Sequence, residues 1–435
     1  MTLGQAKGIL IAAPSSGSGK TTLTLAVLRA LRNAGHSVVS AKSGPDYIDP
    51  KFHEAASGAP CVNLDAWAMP ELGLRALARG QAEGHDLFII EAAMGLFDGA
   101  ANGQGSAADL ATSLGVPVLL VIDCAKQAQS VAALVNGFAS FRSDVQVCGI
   151  VLNKVGSARH KAILRSALEP LGLPVLGAIP RAAELALPER HLGLVQAEEH
   201  EGLEGFLGNA AEVAEQHIDL GLLANLCQPL GQTSDDPKPL IKPFSQHIAV
   251  ARDVAFAFCY PHMVSGWQAA GTEVSFFSPL ADEAPSPSAQ AIYLPGGYPE
   301  LHAERLSAAA NFKVGMSNAA SSGKLIYGEC GGFMTLGEIL INKDGVGYEM
   351  LGLLPLETRF AHRKRHLGYR QLKALVEAPF TGSYAAHEFH YASTIREGKA
   401  DRLFAASDAE GASLGKMGLK VGSVMGSFAH LICER

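Results

Sequence analysis

Short apolar runs alternate with helical stretches along the first half of the chain. The runs are rich in β-branched residues, and in chain order they read GILIAAP, SVVSAKSG, LFIIEAA, VPVLLVID, CGIVLNKV and PVLGAIP. Because these runs lack polar alternation, they predict strands that are buried on both faces of a sheet. The segments between them, such as the one from about Thr21 to Asn33, predict helices in right-handed parallel crossovers. The first half is therefore predicted to be an α/β domain with a doubly wound, mainly parallel sheet.

This pattern stops in the segment CQPLGQTSDDPKPLIKPFSQ, residues 227–246, which has four prolines, two adjacent aspartates and no periodicity. Such a segment predicts a linker. Strand and helix alternation then restarts with HIAVARD, EVSFFSP, AIYLPGGY and KLIYGEC, and more antiparallel-looking segments follow to the end. We therefore predict an N-terminal domain over residues 1–226, a linker over residues 227–246 and a second α/β domain over residues 247–435.

Composition narrows the class of protein. The 435 residues exceed what one core usually organises, and 48% apolar against 18% charged residues suits a loop-rich α/β enzyme. A net charge of -7 argues against nucleic-acid binding, which requires a basic face. The seven scattered cysteines form no close pairs, which indicates a reduced, cytoplasmic setting, and no apolar run is long enough to cross a membrane. A homodimer is the expected oligomer.

A phosphate-binding loop is predicted directly after the first strand. Pro14 begins the segment PSSGSGKTT, which has the Walker A arrangement and is followed by a predicted helix. Small residues allow backbone N–H groups to face phosphates, Lys20 can reach the terminal phosphates, and the Thr21 hydroxyl can ligate Mg²⁺. The predicted ATP-binding residues of this loop are Ser15, Ser16, Gly17, Ser18, Gly19, Lys20, Thr21 and Thr22.

Polar residues end several strands of the same predicted sheet. They comprise Asp46 and Asp49 in KSGPDYIDP, Glu91 and Asp98 in EAAMGLFDG, and Asn153 in VLNK. In open α/β sheets the ligand lies beyond the carboxyl ends of the strands, where carboxylates can hold Mg²⁺ or meet the reacting group. Asp is also common in turns, but a charge directly after LFII requires a partner. An Asn at this edge can pair with an adenine amidine.

A nucleophile elbow is predicted in the second half, where the strand KLIYGE leads into Cys330, two glycines and a helical stretch. The small neighbours permit a sharp turn, and the helix N-terminus is expected to lower the thiol pKa and to supply oxyanion N–H groups, including that of Gly331. Gly297 in LPGGYPE is a candidate second oxyanion donor. Several histidines could serve as the base, namely His366, His387, His390 and His430.

Together these residues resemble the cobyrinic/hydrogenobyrinic acid a,c-diamide synthase family, in which a dethiobiotin-synthetase-like ATP domain is fused to a class I glutamine amidotransferase domain. The resemblance covers nearly the whole chain. It rests on the order and spacing of APSSGSGKTT, KSGPDYIDP, EAAMGLFDG, VLNK, LPGGYPE, YGECGGFMTLG, LLPLETRF and AHEFHYA. It implies an ATP-dependent ligase of cobalamin biosynthesis, with glutamine as the amido donor.

The resemblance also implies residue roles. Cys330 would attack the glutamine amide with His430 as its base. Class I amidotransferases usually carry Glu two residues after that His, whereas this chain has Ile432, so a Cys-His dyad is implied. In the ATP domain, Mg²⁺ would be held by Thr21, Asp46 and Glu91. Adenine would be read by Asn153, and the carboxylate-activation site would be lined by Asp46, Tyr47, Glu91 and Asp98.

A basic segment, RFAHRKRHLGYR, stands out in this acidic chain. Guanidinium groups suit carboxylates, and the corrin polycarboxylate implied by the resemblance carries several of them. The predicted corrin-binding residues are Arg359, Arg363, Arg365, His366 and Arg370. A solvated basic loop is the alternative.

Three other functions stay open on the sequence. A P-loop partitioning or regulatory ATPase would share the first domain but has no reason to carry Cys330 and a second α/β domain. A nickel-sirohydrochlorin a,c-diamide synthase and a cobyric acid synthase would share the motifs. The motifs do not distinguish a metal-free ring from a cobalt-containing one, although overall likeness favours hydrogenobyrinate.

Overall fold

The chain forms two compact units, residues 1–237 and residues 238–435. The computed structural model describes residues 6–181, 189–190, 193–194, 196–200, 202–231, 238–360 and 366–435. Within those residues, no helix is both long and apolar enough to span a bilayer.

The first unit contains the predicted alternation of strands and helices. Its strands are β1 (Lys7–Ala12), β2 (Val38–Ser43), β3 (Cys61–Leu64), β4 (Leu87–Glu91), β5 (Val118–Asp123), β6 (Val147–Val155), β7 (Val175–Pro180), β8 (Glu189–Arg190), β9 (Gly193–Leu194) and β10 (Gln228–Pro229). Its helices are α1 (Lys20–Asn33), α2 (Asp49–Ser57), α3 (Glu71–Ala82), α4 (Ala107–Leu114), α5 (Val131–Ser140), α6 (Ala158–Leu168), α7 (Leu203–His217) and α8 (Leu220–Leu226). Short 3-10 helices span Glu169–Leu171 and Ala197–Glu199.

Strands of this unit pair in the order β3-β2-β4-β1-β5-β6-β7, and every neighbouring pair along this path is parallel. The predicted doubly wound parallel sheet is confirmed. Strands β1, β2 and β4 are buried almost throughout, as expected for continuous apolar runs covered on both faces. Their carboxyl ends lie at one edge of the sheet, where the loop before α1, the segment before α2 and Glu91 meet.

Among the elements of the first unit that the sequence did not predict, β3 and β10 affect its main sheet. Strand β3 was not predicted, because it has only four residues and includes the polar Asn63. That side chain donates to the carbonyl oxygens of Gly44 (2.9 Å) and Asp46 (2.6 Å), so it holds the segment that leads to α2. Strand β10 falls within the predicted linker and pairs antiparallel with β1.

The second unit combines a parallel sheet with a long antiparallel extension. Its helices are α9 (Pro261–Ala269), α10 (Ala303–Ala308), α11 (Ala310–Ser321) and α12 (Gly331–Leu336), and 3-10 helices span Pro279–Ala281 and Pro299–Leu301. Its strands are β11 (His247–Ala251), β12 (Glu273–Phe277), β13 (Ala291–Leu294), β14 (Leu325–Glu329), β15 (Ile339–Ile341), β16 (Gly347–Glu349), β17 (Leu356–Arg359), β18 (His366–Ala374), β19 (Ser383–His390), β20 (Ser393–Glu397), β21 (Asp401–Ser407), β22 (Ser413–Val421), β23 (Val424–Ser427) and β24 (Ala429–Glu434).

The main sheet runs β12-β11-β13-β14-β23-β22-β21-β18-β19-β24, and a smaller sheet runs β16-β15-β17-β20. Strands β11 to β14 and β23 are parallel, whereas the strands beyond β23 pair antiparallel. An apolar core that includes Phe256, Phe312, Phe333 and Leu336 packs against the parallel part. Strand β14 ends beside β13 and β23, so the predicted elbow at Cys330 lies at the carboxyl end of the parallel strands.

Candidate active sites

The loop between β1 and α1 has the backbone of a phosphate cradle. Gly17 and Gly19 have φ of 77° and 88°, in the left-handed region that a residue without Cβ adopts at low cost. A Cβ at Gly19 would lie 2.3 Å from the amide nitrogen of Asn153, so only glycine fits there. The buried Lys20 Nζ donates to the carbonyl oxygens of Ser15 (3.2 Å) and Met94 (2.5 Å).

The Lys20 ammonium is in a destabilising environment. Burial, and next the nearby Lys42 ammonium, lower the pKa of Lys20 from 10.5 to about 8. Its two short contacts go to neutral carbonyl oxygens, while the opposing charges of Glu91, Asp49 and Asp98 offset part of the effect. An anion placed in this loop would favour the charged form of Lys20, which is the behaviour expected of a phosphate-binding lysine.

A buried network of charged groups lies beside Thr21. Thr21 Oγ1 donates to Glu91 Oε1 (2.6 Å) and lies 3.3 Å from Asp49 Oδ2. Lys42 Nζ donates to the same two oxygens, at 2.7 Å and 2.6 Å. His53 Nε2 lies 2.7 Å from Glu91 Oε2. Glu91, which the sequence marked as a charge in need of a partner, therefore has three.

The charges in this network depend on one another. Burial alone would raise the pKa of Glu91, but Lys42 and His53 hold it well below its usual value. The carboxylates of Asp49 and Glu91 correspondingly raise the pKa of Lys42 above its usual value despite complete burial. Burial and the neighbouring Asp46 raise the pKa of Asp49 to about 6. The network therefore holds Glu91 as an anion and Lys42 as a cation.

Sequence reasoning missed Lys42 and His53. The signal was available for Lys42, because a lysine inside the buried run VVSAKS requires a compensating charge. For His53 there was none, since it lies on a helix with no distinctive motif. Its ring is fully buried, and its Nδ1 faces the Cys61 thiol at 3.7 Å.

The other predicted acidic-site residues have different surroundings. Asp46 Oδ1 accepts from the backbone N–H groups of Ile48 (2.8 Å) and Asp49 (3.0 Å), so this oxygen shapes the start of α2. Asp49, not Asp46, supplies the second carboxylate next to Thr21. Tyr47, which lies between Asp46 and Asp49 in the sequence, has a buried side chain. The exposed Asp98 accepts from Gly95 N (3.0 Å) and so shapes the loop after Glu91.

The oxygen atoms of Thr21, Glu91 and Asp49 are of the types that bind a divalent cation. Hydroxyl and carboxylate oxygens are what Mg²⁺ prefers, usually together with phosphate oxygens and water. The Thr21 hydroxyl contacts the Glu91 and Asp49 carboxylates, and the Lys42 ammonium donates to the same two carboxylates. The set Thr21, Asp46 and Glu91 stays a prediction, and the geometry adds Asp49 to the candidates.

A cavity of about 200 Å³ adjoins the phosphate loop. Its lining is largely apolar and comprises Gly19, Thr22, Leu23, Ala26, Asn153, Lys154, Ile179, Pro180, Arg181, Val213 and Ala214. Asn153 Nδ2 donates to Ser18 O (2.9 Å), and Lys154 Nζ donates to Gly17 O (3.0 Å) and Asp123 Oδ2 (2.7 Å). An apolar slot with an amide in its lining suits a purine base, and the adenine contact of Asn153 stays a prediction.

Cys330 forms a strained turn in the second unit. Its φ of 45° and ψ of -100° are unusual for a residue with a Cβ, and strain of this kind accumulates at functional sites. Gly328 and Gly332 allow the turn, because a Cβ at either position would lie within 2.8 Å of neighbouring backbone. A Cβ at Gly331 would lie 2.9 Å from Gly297 N, so the two predicted oxyanion residues are adjacent.

His430 lies fully buried beside this turn. Its Nδ1 is 3.8 Å from the Oε2 of Glu329, the residue before Cys330. A Cβ at Gly296 would lie 2.2 Å from His430 Cε1, so the glycine provides the space for the ring. The other candidate bases lie on strands β18 and β19. His387 pairs with His430 across the β19–β24 ladder, and His390 and His366 stack at 4.7 Å.

The family resemblance implies that this site hydrolyses glutamine. Replacing Gly296 by Ala should lower the rate of that hydrolysis at least about 100-fold, because the new methyl group must displace the His430 ring. Glutamate release from glutamine measures this loss. Gly347→Ala is the matched control, since a Cβ there meets its nearest neighbour at an ordinary 3.4 Å. Equal activity of the Gly296→Ala protein and its parent would contradict the placement of His430.

Both groups are neutral in this conformation. Burial, and next the Glu300 carboxylate, raise the pKa of the Cys330 thiol well above its usual value. Burial, and next His387 and His390, lower the pKa of His430 to about 3. The expected lowering of the thiol pKa is therefore absent, because burial outweighs the short helix that follows Cys330. The thiol proton must move as substrate binds.

The predicted corrin-binding residues are only partly described. Arg363 and Arg365 lie outside the described residues. Arg370 Nε donates to Glu388 Oε2 (2.7 Å), so its guanidinium already forms a largely buried ion pair, and Arg359 ends β17 in the smaller sheet. His366 stacks on His390, whose Nε2 contacts Glu388 Oε1 (2.8 Å). The structure therefore brings His366 and Arg370 together and places Arg359 on a separate sheet.

Two family matches divide the chain as its fold does. Residues 9–195 match the CobQ/CobB/MinD/ParA nucleotide binding domain. Residues 247–435 match the CobB/CobQ-like glutamine amidotransferase domain.

Curated relatives cover nearly all of the chain. The hydrogenobyrinate a,c-diamide synthase of Brucella anthropi is 58% identical over 428 residues, which cover 98% of this chain and 98% of that protein. The protein of the same name from Rhizobium meliloti is 57% identical over 98% of this chain and 99% of that protein. A third, from Mesorhizobium japonicum, is 50% identical over 99% of both.

Proposed function

This chain belongs to the hydrogenobyrinate a,c-diamide synthase family, and from that premise we propose that it amidates the a and c acetate carboxylates of hydrogenobyrinate, using ATP and glutamine. It is an ATP-dependent ligase with glutamine as amido donor. We assign ATP chemistry to residues 1–226 and glutamine hydrolysis to residues 247–435, with residues 227–246 between them. Cobyrinate is the alternative ring substrate.

Carboxylate activation is assigned to the first unit. A ring carboxylate resists ammonia because its charge and resonance oppose a nucleophile. In the proposed step, a carboxylate oxygen attacks the γ-phosphorus of ATP, ADP leaves, and an acyl phosphate forms. Lys20 offsets charge on the phosphates, and the pocket beside Asn153 holds the adenine.

Mg²⁺, held by Thr21 and Glu91 with Asp46 or Asp49, would neutralise phosphate charge during this transfer. Lys42 and His53 keep the Glu91 carboxylate ionised and oriented. The exposed Asp98 and the buried Tyr47 are proposed to line the same site.

Nitrogen supply is assigned to the second unit. The Cys330 thiolate attacks the side-chain carbonyl carbon of glutamine, and the C–N bond breaks to release ammonia and leave a thioester. Water then cleaves the thioester to glutamate. His430 takes the thiol proton and passes it to the leaving nitrogen, while the N–H groups of Gly297 and Gly331 stabilise the oxyanion. Ammonia then displaces phosphate from the acyl phosphate to form the amide.

The observation that carries this proposal is the presence of two candidate reactive centres in one chain. The first is a lysine-bearing phosphate loop next to buried carboxylates. The second is the strained Cys330, whose preceding residue Glu329 lies 3.8 Å from the buried His430. A phosphate-loop ATPase with a regulatory role would require only the first. The proposal further includes a homodimer, a cytoplasmic location and corrin contacts from Arg359, Arg363, Arg365, His366 and Arg370.

Mass spectrometry of the ring acids tests the function. The chain is incubated with ATP, Mg²⁺, glutamine and either hydrogenobyrinate or cobyrinate. Each conversion of an acid to an amide replaces OH by NH₂, so we expect two successive losses of about one mass unit, matched by ADP and glutamate release. Hydrogenobyrinate is expected to react faster. Absence of amide from both rings, or amide formation without ATP, would contradict the proposal.

A further inference from the structure

The acid that usually completes the amidotransferase triad is missing from β24. His430 is followed two residues later by Ile432, which is buried and carries no charge. A base that must accept a thiol proton gains from a carboxylate at its second ring nitrogen, because the carboxylate fixes the tautomer and stabilises the imidazolium. The second unit therefore needs such a carboxylate from another part of the chain, or must function without one.

Glu329 lies in a position to fill this role. Its side chain is 1% exposed, and its Oε2 lies 3.8 Å from His430 Nδ1. The same carboxylate accepts from the Tyr293 hydroxyl (2.6 Å) and from Leu431 N (3.0 Å). Because Leu431 adjoins His430 in the chain, the second contact also fixes the backbone that carries the imidazole.

We propose that Glu329 is the positioning residue of His430, orienting the ring through Nδ1 and stabilising the imidazolium that forms when Nε2 accepts the Cys330 proton. This inference rests on the proposed glutaminase function. In the step, the S–H bond breaks, the proton moves to Nε2, and Nδ1–H donates to the carboxylate, which stays ionised. The distance of 3.8 Å must shorten for that hydrogen bond, as catalytic contacts commonly do when substrate binds.

The surroundings of His430 support this orientation. Gly296 lies against Cε1, between the two ring nitrogens, and leaves little room for the ring to shift toward β13. With Nδ1 directed to Glu329, Nε2 is the nitrogen left for the thiol. On β19, His387 lies across the ladder and provides no negative charge. The Glu388 carboxylate on the same strand acts to raise the pKa of His430, but its oxygens already contact Arg370 and His390.

A purely structural role for Glu329 would not account for the free-energy cost of burying its carboxylate as an anion. A carboxylate buried beside a cysteine that must become a thiolate is disfavoured as an anion, and burial raises the pKa of Glu329 to about 7. The titratable groups that face it are the hydroxyls of Tyr293 and Tyr327, the His430 ring and the Cys330 thiol. A glutamine would accept the same backbone hydrogen bond without this penalty.

The first test is Glu329→Gln in the full chain. We expect glutaminase kcat to fall about 10- to 100-fold with a smaller change in the KM for glutamine, since the carboxylate acts through the base. In the parent, kcat should rise with pH through about 7 as Glu329 ionises, and this rise should be absent from the variant. Ammonia-dependent amidation should equal that of the parent, which shows that the variant is folded.

The second test is milder and does not depend on tolerance of Glu329→Gln. Tyr293→Phe removes the hydroxyl that donates to the carboxylate and lowers its pKa. The rise of kcat should therefore move to higher pH, by about one unit. Tyr384→Phe is the matched control, because that hydroxyl contacts Thr381 and not Glu329, and its profile should match the parent's.

An unchanged kcat in Glu329→Gln, a lowered kcat with the pH rise still in place, or an unshifted profile in Tyr293→Phe would each overturn the assignment. Failure of the proposed function has a different signature. In that case the parent itself would release no glutamate from glutamine.

Discussion

Replacing Cys330 by Ser is expected to abolish glutamine-dependent amide formation while leaving ammonia-dependent amide formation intact. A serine hydroxyl in the same turn is a far weaker nucleophile than a thiolate, so we expect a loss of at least about 10³-fold in glutaminase kcat. The strained backbone of Cys330 and the neighbouring Gly297 and Gly331 would be retained. Glutamate release and amide formation from glutamine or ammonium chloride are measured in parallel.

The matched control is Cys259→Ser, which changes a partly exposed thiol of the same unit. That variant should hydrolyse glutamine at the rate of the parent. Amide formation from glutamine at the parental rate in Cys330→Ser would overturn the nucleophile assignment. Loss of ammonia-dependent activity as well would indicate a damaged fold instead, which the control variant and calorimetry would reveal.

Replacing Glu91 by Gln should have the second large effect, on both activity and stability. The change removes the anion that accepts from Thr21, Lys42 and His53, leaving the buried Lys42 with Asp49 as its nearest carboxylate. Breaking a buried ion pair on one side typically costs about 3–5 kcal/mol. We also expect ATP-dependent amidation with ammonia to fall by at least about 10³-fold, because phosphoryl transfer depends on this electrostatic arrangement.

Calorimetry and ammonia-dependent amidation measure the two effects. The folded pKa of Glu91 lies below its ordinary value of 4.5, so its stabilising contribution is present above that pH and is lost as the pH falls. The difference in unfolding free energy between parent and variant should therefore shrink in acid. Glu204→Gln is the control, since Glu204 pairs with Arg29 at the surface and should matter little. A variant with parental stability and activity would contradict the network.

The alternation of strands and helices and the phosphate loop were predictable from the sequence, because both depend on local properties. Continuous apolar runs such as LFII can be buried only between two layers, and Gly17 and Gly19 adopt backbone angles that few other residues tolerate. The Cys330 turn was predictable for the same reason. Its neighbours had to be small, and that requirement is visible within a few residues of sequence.

The sequence also predicted the two kinds of reactive site in different halves of the chain. It did not predict which side chains contact the reactive groups. The position of Glu91 at the end of a strand indicated that it needs a cation or a metal as a partner. It did not indicate that Lys42 and His53 supply the contacts. The sequence likewise did not indicate which carboxylate, that of Asp46 or that of Asp49, lies next to Thr21. It depends on which carboxylate the start of α2 uses for its own backbone hydrogen bonds.

Residue types at short spacing thus determined which reactive groups this chain carries: the lysine loop, the strand-end acids and the cysteine elbow. Only the tertiary structure decided what surrounds them. Glu329 and His430 are separated by about a hundred residues in the chain. They meet because β23 pairs with β14, which places Ser427 opposite Glu329, and β24 begins two residues after β23 ends. Local sequence sets backbone angles and burial, whereas distances between charges, and hence their protonation, depend on how distant strands are paired.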